Sequence, residues 1–255
     1  MLILPPLRKR ARYRLMKQLL KLFLSLLHIS VTRNQKYDAC TRKILRRILK
    51  PESNCIDIGC HKGEILDLMI RHAPRGKKFG FEPIPELYQF LLSKYRYVSD
   101  VTISSTALYD KKGKTSFQHV LNAPAYSGIK KRKYDGKQVD IEQITVETAR
   151  LDDIMPADLC IDLVKIDVEG AEFRVMKGAV NSLKRWKPVV IFEFGLGAAD
   201  YYDSSPGDLY RFLTTDCGLK LSTLKGFLEK APDLSEPRFL NFYETGGEYY
   251  FVAHP

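Results

Sequence analysis

The stretch NCIDIGCHKGEI, Asn54 to Ile65, constrains the fold more than any other in the chain. Cys55-Ile56-Asp57-Ile58 is a short apolar run bounded by a turn signal, which predicts a buried strand. Gly59 to Gly63 predicts the turn. Glu64-Ile65-Leu66-Asp67-Leu68-Met69-Ile70 then has the strong formers and apolar spacing of a helix. Strand, tight glycine turn and helix form the ligand-binding corner of an open α/β sheet. Glycine suits that corner because the backbone must turn sharply and approach a ligand closely. A phosphate loop would need four residues between its glycines, then Lys and Ser or Thr. Here Cys60-His61-Lys62 separates Gly59 from Gly63, and Glu64 follows. A dinucleotide fingerprint is incomplete as well, since His61 fills the place of the middle glycine that admits a pyrophosphate. The corner therefore suits a ligand without one.

A second stretch, KKFGFEPIPELYQFLLSKY, supports the same geometry. Phe79-Gly80-Phe81 predicts a second strand ending at Glu82. Pro83 and Pro85 stop it, and a helix follows from Glu86. An acidic residue at this remove from the glycine loop is the ribose-hydroxyl partner in nucleotide-binding α/β folds. The plainer alternative is a surface carboxylate at a strand end.

The 255 residues, 45% of them hydrophobic, suit one large globular domain with a substantial core. Five cysteines, with no C-x-x-C pair, indicate neither a zinc site nor a disulfide framework. A reducing, cytoplasmic setting is the default expectation. Seven of the eleven net positive charges lie in residues 1–30, which carry no acid. A nucleic-acid footprint would more naturally be a basic stripe on the body itself. Arg14, Lys17, Gln18, Lys21, Ser25 and His28 recur at helical spacing among leucine-like residues, which predicts a basic amphipathic helix over residues 1–33. Its apolar run, Leu22 to Thr32, is too short to span a bilayer, which takes about 20 apolar residues. No small-residue cleavage site is evident. Such a helix packs on its own domain or on a second copy, as in a homodimer, or it lies on an anionic membrane surface from the cytoplasmic side.

Further along, VTISSTAL predicts a third strand over Val101 to Leu108, and GKTSFQHV a hairpin arm. Asn122 to Val146 reads as an irregular, lysine-rich insertion. DLVKIDVEGAEFRVMKGAVNSL predicts strand, turn and helix, with the strand at Leu163 to Val168. KPVVIFEFG predicts another buried strand. Ser205 to Cys217 reads as a helix opened by Ser205-Pro206, and EYYFVAHP as a last strand. Strands alternating with helices predict an α/β sandwich with a largely parallel sheet.

DIGCHKGE, FEPIPELY, ALYDKKGKTSF, LDDI, DLVKIDVEGAEFRVMKGA and PVVIFEF follow one another in a set order from Cys55 to Phe194. In these motifs, above all KIDVEGAE followed by GA, the chain resembles the FkbM-type family of S-adenosylmethionine-dependent methyltransferases. The arm before Asn34 and the tail after Phe194 match less distinctly. The resemblance implies a Rossmann-like, seven-stranded sheet of order 3-2-1-4-5-7-6, with the seventh strand antiparallel and helices on both faces. It places the methyltransferase domain at residues 34–255. It implies S-adenosylmethionine as cofactor and an O-methyltransferase acting on a sugar hydroxyl of a glycan or on a hydroxylated small molecule. His61-Lys62 departs from the small residue and Asn more usual there.

On that implied fold, Asp57 and the Gly59–Gly63 backbone, including His61, would hold the methionine end. Glu82 would accept from both ribose hydroxyls, and Thr106 and Ala107 would flank the adenine. Asp167, Glu169 and Glu193 would gather at the carboxyl ends of the fourth and fifth strands, facing the transferable methyl. Lys165 shares a strand face with Asp167, and a lysine inside a central strand is costly unless paired. It would keep one or more of these carboxylates ionised, or form an ion pair with no kinetic role. Asp167 and Glu193 are expected either to supply a general base or to bind a divalent cation. His61 is a further candidate base. Three rival readings remain on the sequence: an RNA methyltransferase, suggested by the basic charge, a nicotinamide oxidoreductase on the same sheet, and a non-catalytic member that only binds cofactor or membrane. No Asn/Asp-Pro-Pro-aromatic motif for a flipped base follows the fourth strand, which tells against the first.

Overall fold

The computed structural model describes residues 32–134, 138–156 and 158–255. The predicted amphipathic helix over residues 1–33 lies almost wholly outside them. The elements are α1 (Arg33–Ile48), β1 (Cys55–Ile58), α2 (Glu64–His72), β2 (Lys78–Phe81), α3 (Pro85–Tyr95), β3 (Val101–Ser104), β4 (Ala107–Leu108), β5 (Gly113–Val120), β6 (Ile141–Ala149), α4 (Leu151–Ile154), β7 (Leu163–Ile166), α5 (Glu172–Lys177), α6 (Val180–Trp186), β8 (Val189–Glu193), α7 (Pro206–Arg211), β9 (Lys220–Thr223), α8 (Leu224–Glu229), α9 (Glu236–Thr245) and β10 (Tyr250–His254).

Seven strands form one sheet in the order β3-β2-β1-β7-β8-β10-β9. β10 runs antiparallel to both of its neighbours, and the other pairings are parallel. Numbered by chain order within the sheet, this is the expected 3-2-1-4-5-7-6. Alternate residues of a strand face opposite sides, and both sides here are covered. Cys55, Leu163 and Ile191 pack with Tyr37, Ile44 and Leu45 of α1, Leu66 and Met69 of α2, and Leu91 of α3. Ile56, Ile58, Val164, Ile166 and Phe192 pack on the other side with residues of α5, α6, α7 and α9. Burying each such side chain contributes about 1.5–3 kcal/mol, so short strands apolar on both faces are driven to the middle of the sandwich. Asp57 and Lys165 are register partners on the face of Cys55 and Leu163. Two ionisable groups thus sit side by side within the central strands.

Two expectations need correction. VTISSTAL is not one strand. The Thr106 amide donates to Ser104 Oγ at 3.2 Å, a local turn that takes the chain off the ladder. Ala107–Leu108 then pairs with Thr148–Ala149 in a second, three-stranded sheet, β4-β6-β5. Nor is Asn122 to Val146 irregular throughout. Its end belongs to β6, which pairs with all eight residues of β5. Ile144, Val146 and Thr148 alternate with Thr145 and Glu147, a period-two signal masked by the polar residues before it. Smaller differences are boundaries. The strand read as Leu163 to Val168 stops at Ile166, and the helix read from Glu86 starts at Pro85. The helix read over Ser205 to Cys217 is capped by Ser205 but relaxes into a π turn over Phe212–Asp216. β9, α8 and α9 carry no sequence expectation.

Candidate active site

A cavity of about 540 Å³ opens at the carboxyl ends of β1, β2 and β7, within the range of small-molecule sites. Asp57, Gly59, His61 and Glu82 line its β1–β2 side, Thr106 and Ala107 a second side, and Lys165, Asp167 and Glu169 the β7 side. The sheet order places them there. β1 is flanked by β2 and β7, so loops that leave these three strands meet above one point.

The turn after β1 is built for close approach. Gly59 has φ +76°, and a Cβ there would lie 1.9 Å from the Asp167 carbonyl oxygen. The β1 and β7 ends can meet only across a glycine. Gly63 lies behind the cavity rather than on its wall. Its φ is +77°, and a Cβ would lie 2.3 Å from the Tyr95 hydroxyl, which donates to the Gly63 carbonyl. His61 contributes its main chain: its amide donates to Glu82 Oε2 at 2.8 Å. Its ring Nδ1 lies 3.9 Å from Glu64 Oε2.

Glu82 is 4% exposed, with Oε1 accepting from the Ile84 amide at 3.0 Å. Each oxygen thus spends one lone pair on a main-chain donor and keeps another for a ligand. Burial pushes its pKa up to about 7 against those two amides. Asp57 is 1% exposed, and neither carboxylate oxygen meets a hydrogen-bond donor in good geometry. Burial pushes it up to about 6, although the Lys165 ammonium lies 4.0 Å away and opposes this. Leaving a buried polar group without a partner costs about 1–3 kcal/mol, and more for a charged one. An unsatisfied buried carboxylate on a cavity wall is therefore a socket for a cationic donor.

The β7 side is the reverse. Asp167 Oδ2 receives Lys165 Nζ at 3.0 Å and the Tyr250 hydroxyl at 2.8 Å. Burial would raise Asp167, but the Lys165 charge and these two donors hold it below the usual carboxylate value. For Lys165, burial acts to lower the pKa, and the Asp167 and Asp57 carboxylates more than reverse it, so the ammonium persists. Tyr250 is pushed well above its ordinary value by burial and by Asp167, so it donates as a neutral phenol.

Glu169 lines the cavity but is paired with Arg132. Its φ is +57°, and Gly170 after it has +109°. That strained pair is pinned by Glu172, which accepts from the Val168 and Gly170 amides at 3.0 and 3.2 Å. Glu193 stays off the cavity wall, opposite Tyr250 in the β8–β10 register. Burial and then Asp167 push it up to about 8. Of the carboxylates expected to gather, the structure brings only Asp167 and Glu169 onto the wall beside Asp57. Among the described residues, no group of three or more His, Cys, Asp and Glu is arranged to hold a metal ion.

Sequence reasoning missed Tyr250, Glu172, and Asp38 and Arg42 of α1, which reach the cavity. Glu172 stands in the KIDVEGAE motif, where the φ demands of Glu169-Gly170 are the available clue. No local pattern links Tyr250 to Asp167, which lies 83 residues earlier in the chain.

Residues 57–221 match the methyltransferase FkbM domain. The chain belongs to this family. The 2-O-methyltransferase NoeI of Sinorhizobium fredii is 30% identical over 158 residues, a match covering 56% of this chain and 64% of that relative. The chain thus matches less than two thirds of the relative's length. A crystal structure of an FkbM methyltransferase from Methylobacillus flagellatus is similar in fold, with a TM-score of 0.51 at 14% identity. That similarity covers 81% of this chain and 44% of the other.

Proposed function

We propose that the protein is an S-adenosylmethionine-dependent O-methyltransferase acting on a sugar hydroxyl of a glycan or on a hydroxylated small molecule. The observation that carries this reading is the unsatisfied, buried Asp57 carboxylate beside the half-satisfied Glu82, on one wall of a cavity in a fold of this family. Asp57 would take the ammonium of the methionine end, and Glu82 the ribose hydroxyls. Thr106 and Ala107 would flank the adenine. The cofactor, when bound, supplies a methyl group already activated by a positive sulfur. The chain's own work is to align the acceptor and manage its proton.

Asp167 is the group for that proton. It is held ionised by Lys165 and fixed in place by Tyr250. Its depressed pKa makes it a weak base, so alignment of the hydroxyl and stabilisation of the charge that develops on it carry much of the load. Asp38, Arg42 and Glu64 give the cavity wall hydrogen-bonding groups suited to a polyhydroxyl acceptor. The 2-O-methyltransferase named among the relatives supports an oxygen acceptor. Incubation with radiolabelled cofactor and extracted cell glycans should transfer label to a glycan fraction. Label in RNA instead, or heat stabilisation by NAD but not by S-adenosylmethionine, would replace this reading.

A further inference from the structure

The helix α1 presents three different flanks. Tyr37, Thr41, Ile44 and Leu45 are buried against the body. Asp38 and Arg42, one turn apart, reach the cavity. The third flank carries Arg33, Lys36, Cys40, Lys43 and Arg47, which recur at helical spacing along a groove shared with α8. Arg46 and Lys225 add to the same rim.

Two of these cations have structural duties. Arg33 donates to the carbonyls of Gly246 and Gly247, and Arg47 to the Leu228 carbonyl at 2.7 Å. Lys225 has Glu229 at 3.7 Å. The other acid of the groove, Glu248, receives the Tyr37 hydroxyl. Lys36, Lys43 and Arg46 are exposed and form no ion pair with any described residue. Like charges collected on one helix flank repel one another, and the groove's six cations outnumber its two acids, Glu229 and Glu248.

We propose that this flank of α1, with Lys225 of α8, is a docking face for an anionic phospholipid surface. Charge complementarity argues for it, and so does continuity along the chain. α1 starts at Arg33, directly after a segment in which residues 1–30 carry seven cations, no acid and a leucine-rich helical pattern. That composition suits the interface of an anionic bilayer. Two cationic stretches adjoining in sequence thus share one sign, and a negatively charged surface answers both. Among the described residues, no helix is long and apolar enough to cross a membrane. The proposal does not depend on the reaction assigned to the cavity.

The test uses the full chain and sedimentation with vesicles of phosphatidylserine and phosphatidylcholine. The unaltered protein should co-sediment with the mixed vesicles, and less so as salt is raised. The triple variant Lys36→Glu/Lys43→Glu/Arg46→Glu should lose about a hundredfold or more in partitioning, at roughly fivefold per cation. Should reversal impair folding, Lys36→Gln/Lys43→Gln/Arg46→Gln removes the charge alone and should still lose about a hundredfold. A control at other exposed cations, Arg71→Glu/Lys111→Glu/Lys112→Glu, should lose little. Equal losses in both sets would reduce the effect to net charge and overturn the face. Equal binding to pure phosphatidylcholine, or unchanged binding by the α1 variants, would overturn it too. So would tighter capture by a polyanionic glycan such as heparin than by the mixed vesicles.

Discussion

The two sides of the cavity obey opposite rules. On the β1–β2 side, Asp57 meets no hydrogen-bond donor in good geometry and Glu82 keeps spare acceptor capacity. On the β7 side, one Asp167 oxygen already receives an ammonium and a phenol. On the proposed function, the difference would separate binding from chemistry. A group left unsatisfied during folding is paid for by the ligand that completes it, so that side should govern affinity. A group satisfied in advance is preorganised, and preorganised charge acts on the step in which charge develops. Gly59 is where the two sides touch, through the Asp167 carbonyl.

Gly59→Ala should therefore have the largest effect, because it damages both sides together. A left-handed φ and a Cβ driven into backbone should cost about 3 kcal/mol of stability, read by chemical denaturation. A variant as stable as the parent, with affinity and turnover intact, would show that the β1 and β7 ends are not joined as described.

Asp167→Asn comes next and tests the division directly. Turnover should fall by about 10² or more, the scale of losing a general base, while cofactor affinity stays within about tenfold. If affinity fell and turnover per bound cofactor did not, the two sides would have exchanged roles. Chelation of magnesium and manganese separates proton acceptance from metal assistance in the parent enzyme, since it should abolish turnover only if a cation is required.

Glu82→Ala is the converse and smaller experiment. Cofactor binding should weaken by roughly 1–3 kcal/mol in calorimetry, the range for hydrogen bonds to a charged acceptor. Unchanged affinity in a folded variant would remove Glu82 from the ribose role.

The pH dependence of stability gives a test that needs no substitution. Asp57 and Glu82 have folded pKa values of about 6 and about 7, above the roughly 4 of unfolded carboxylates. The ligand-free fold binds more protons than the unfolded chain in that window, so these two groups make stability fall as pH rises from about 4 to about 7. Asp167, shifted the other way, contributes stability that is lost only as pH falls below its unfolded value. Melting temperatures across this range should show the decline, and saturating cofactor should diminish it. A flat profile for the free protein would mean that Asp57 is satisfied after all.

The β1–β2 side was legible in the sequence because its parts are local. Strand, glycine turn and Glu82 lie within one βαβ unit, where spacing encodes contact. The β7 side was half legible. Lys165 and Asp167 are two residues apart, and strand periodicity joins them. Tyr250 reaches Asp167 only through the order of strands in the sheet, and Glu193, two strands from β1, faces β10 rather than the cavity. The second sheet escaped for another reason. β6 exposes many polar residues, so its alternation is weak, and its partner β5 is some twenty residues away. Fold order and family came through motif succession rather than through any single periodicity.

Lys165 lies 3.0 Å from Asp167 and 4.0 Å from Asp57, one counter-ion shared between two creditors. An ammonium brought to Asp57 by a ligand would supply that carboxylate with positive charge of its own. Lys165 would then answer to Asp167 alone. Filling the binding side thereby resets the electrostatics of a residue on the opposite wall, with no movement of either strand. Cofactor and acceptor would sense each other through a single buried ammonium, each changing the other's affinity by the same factor.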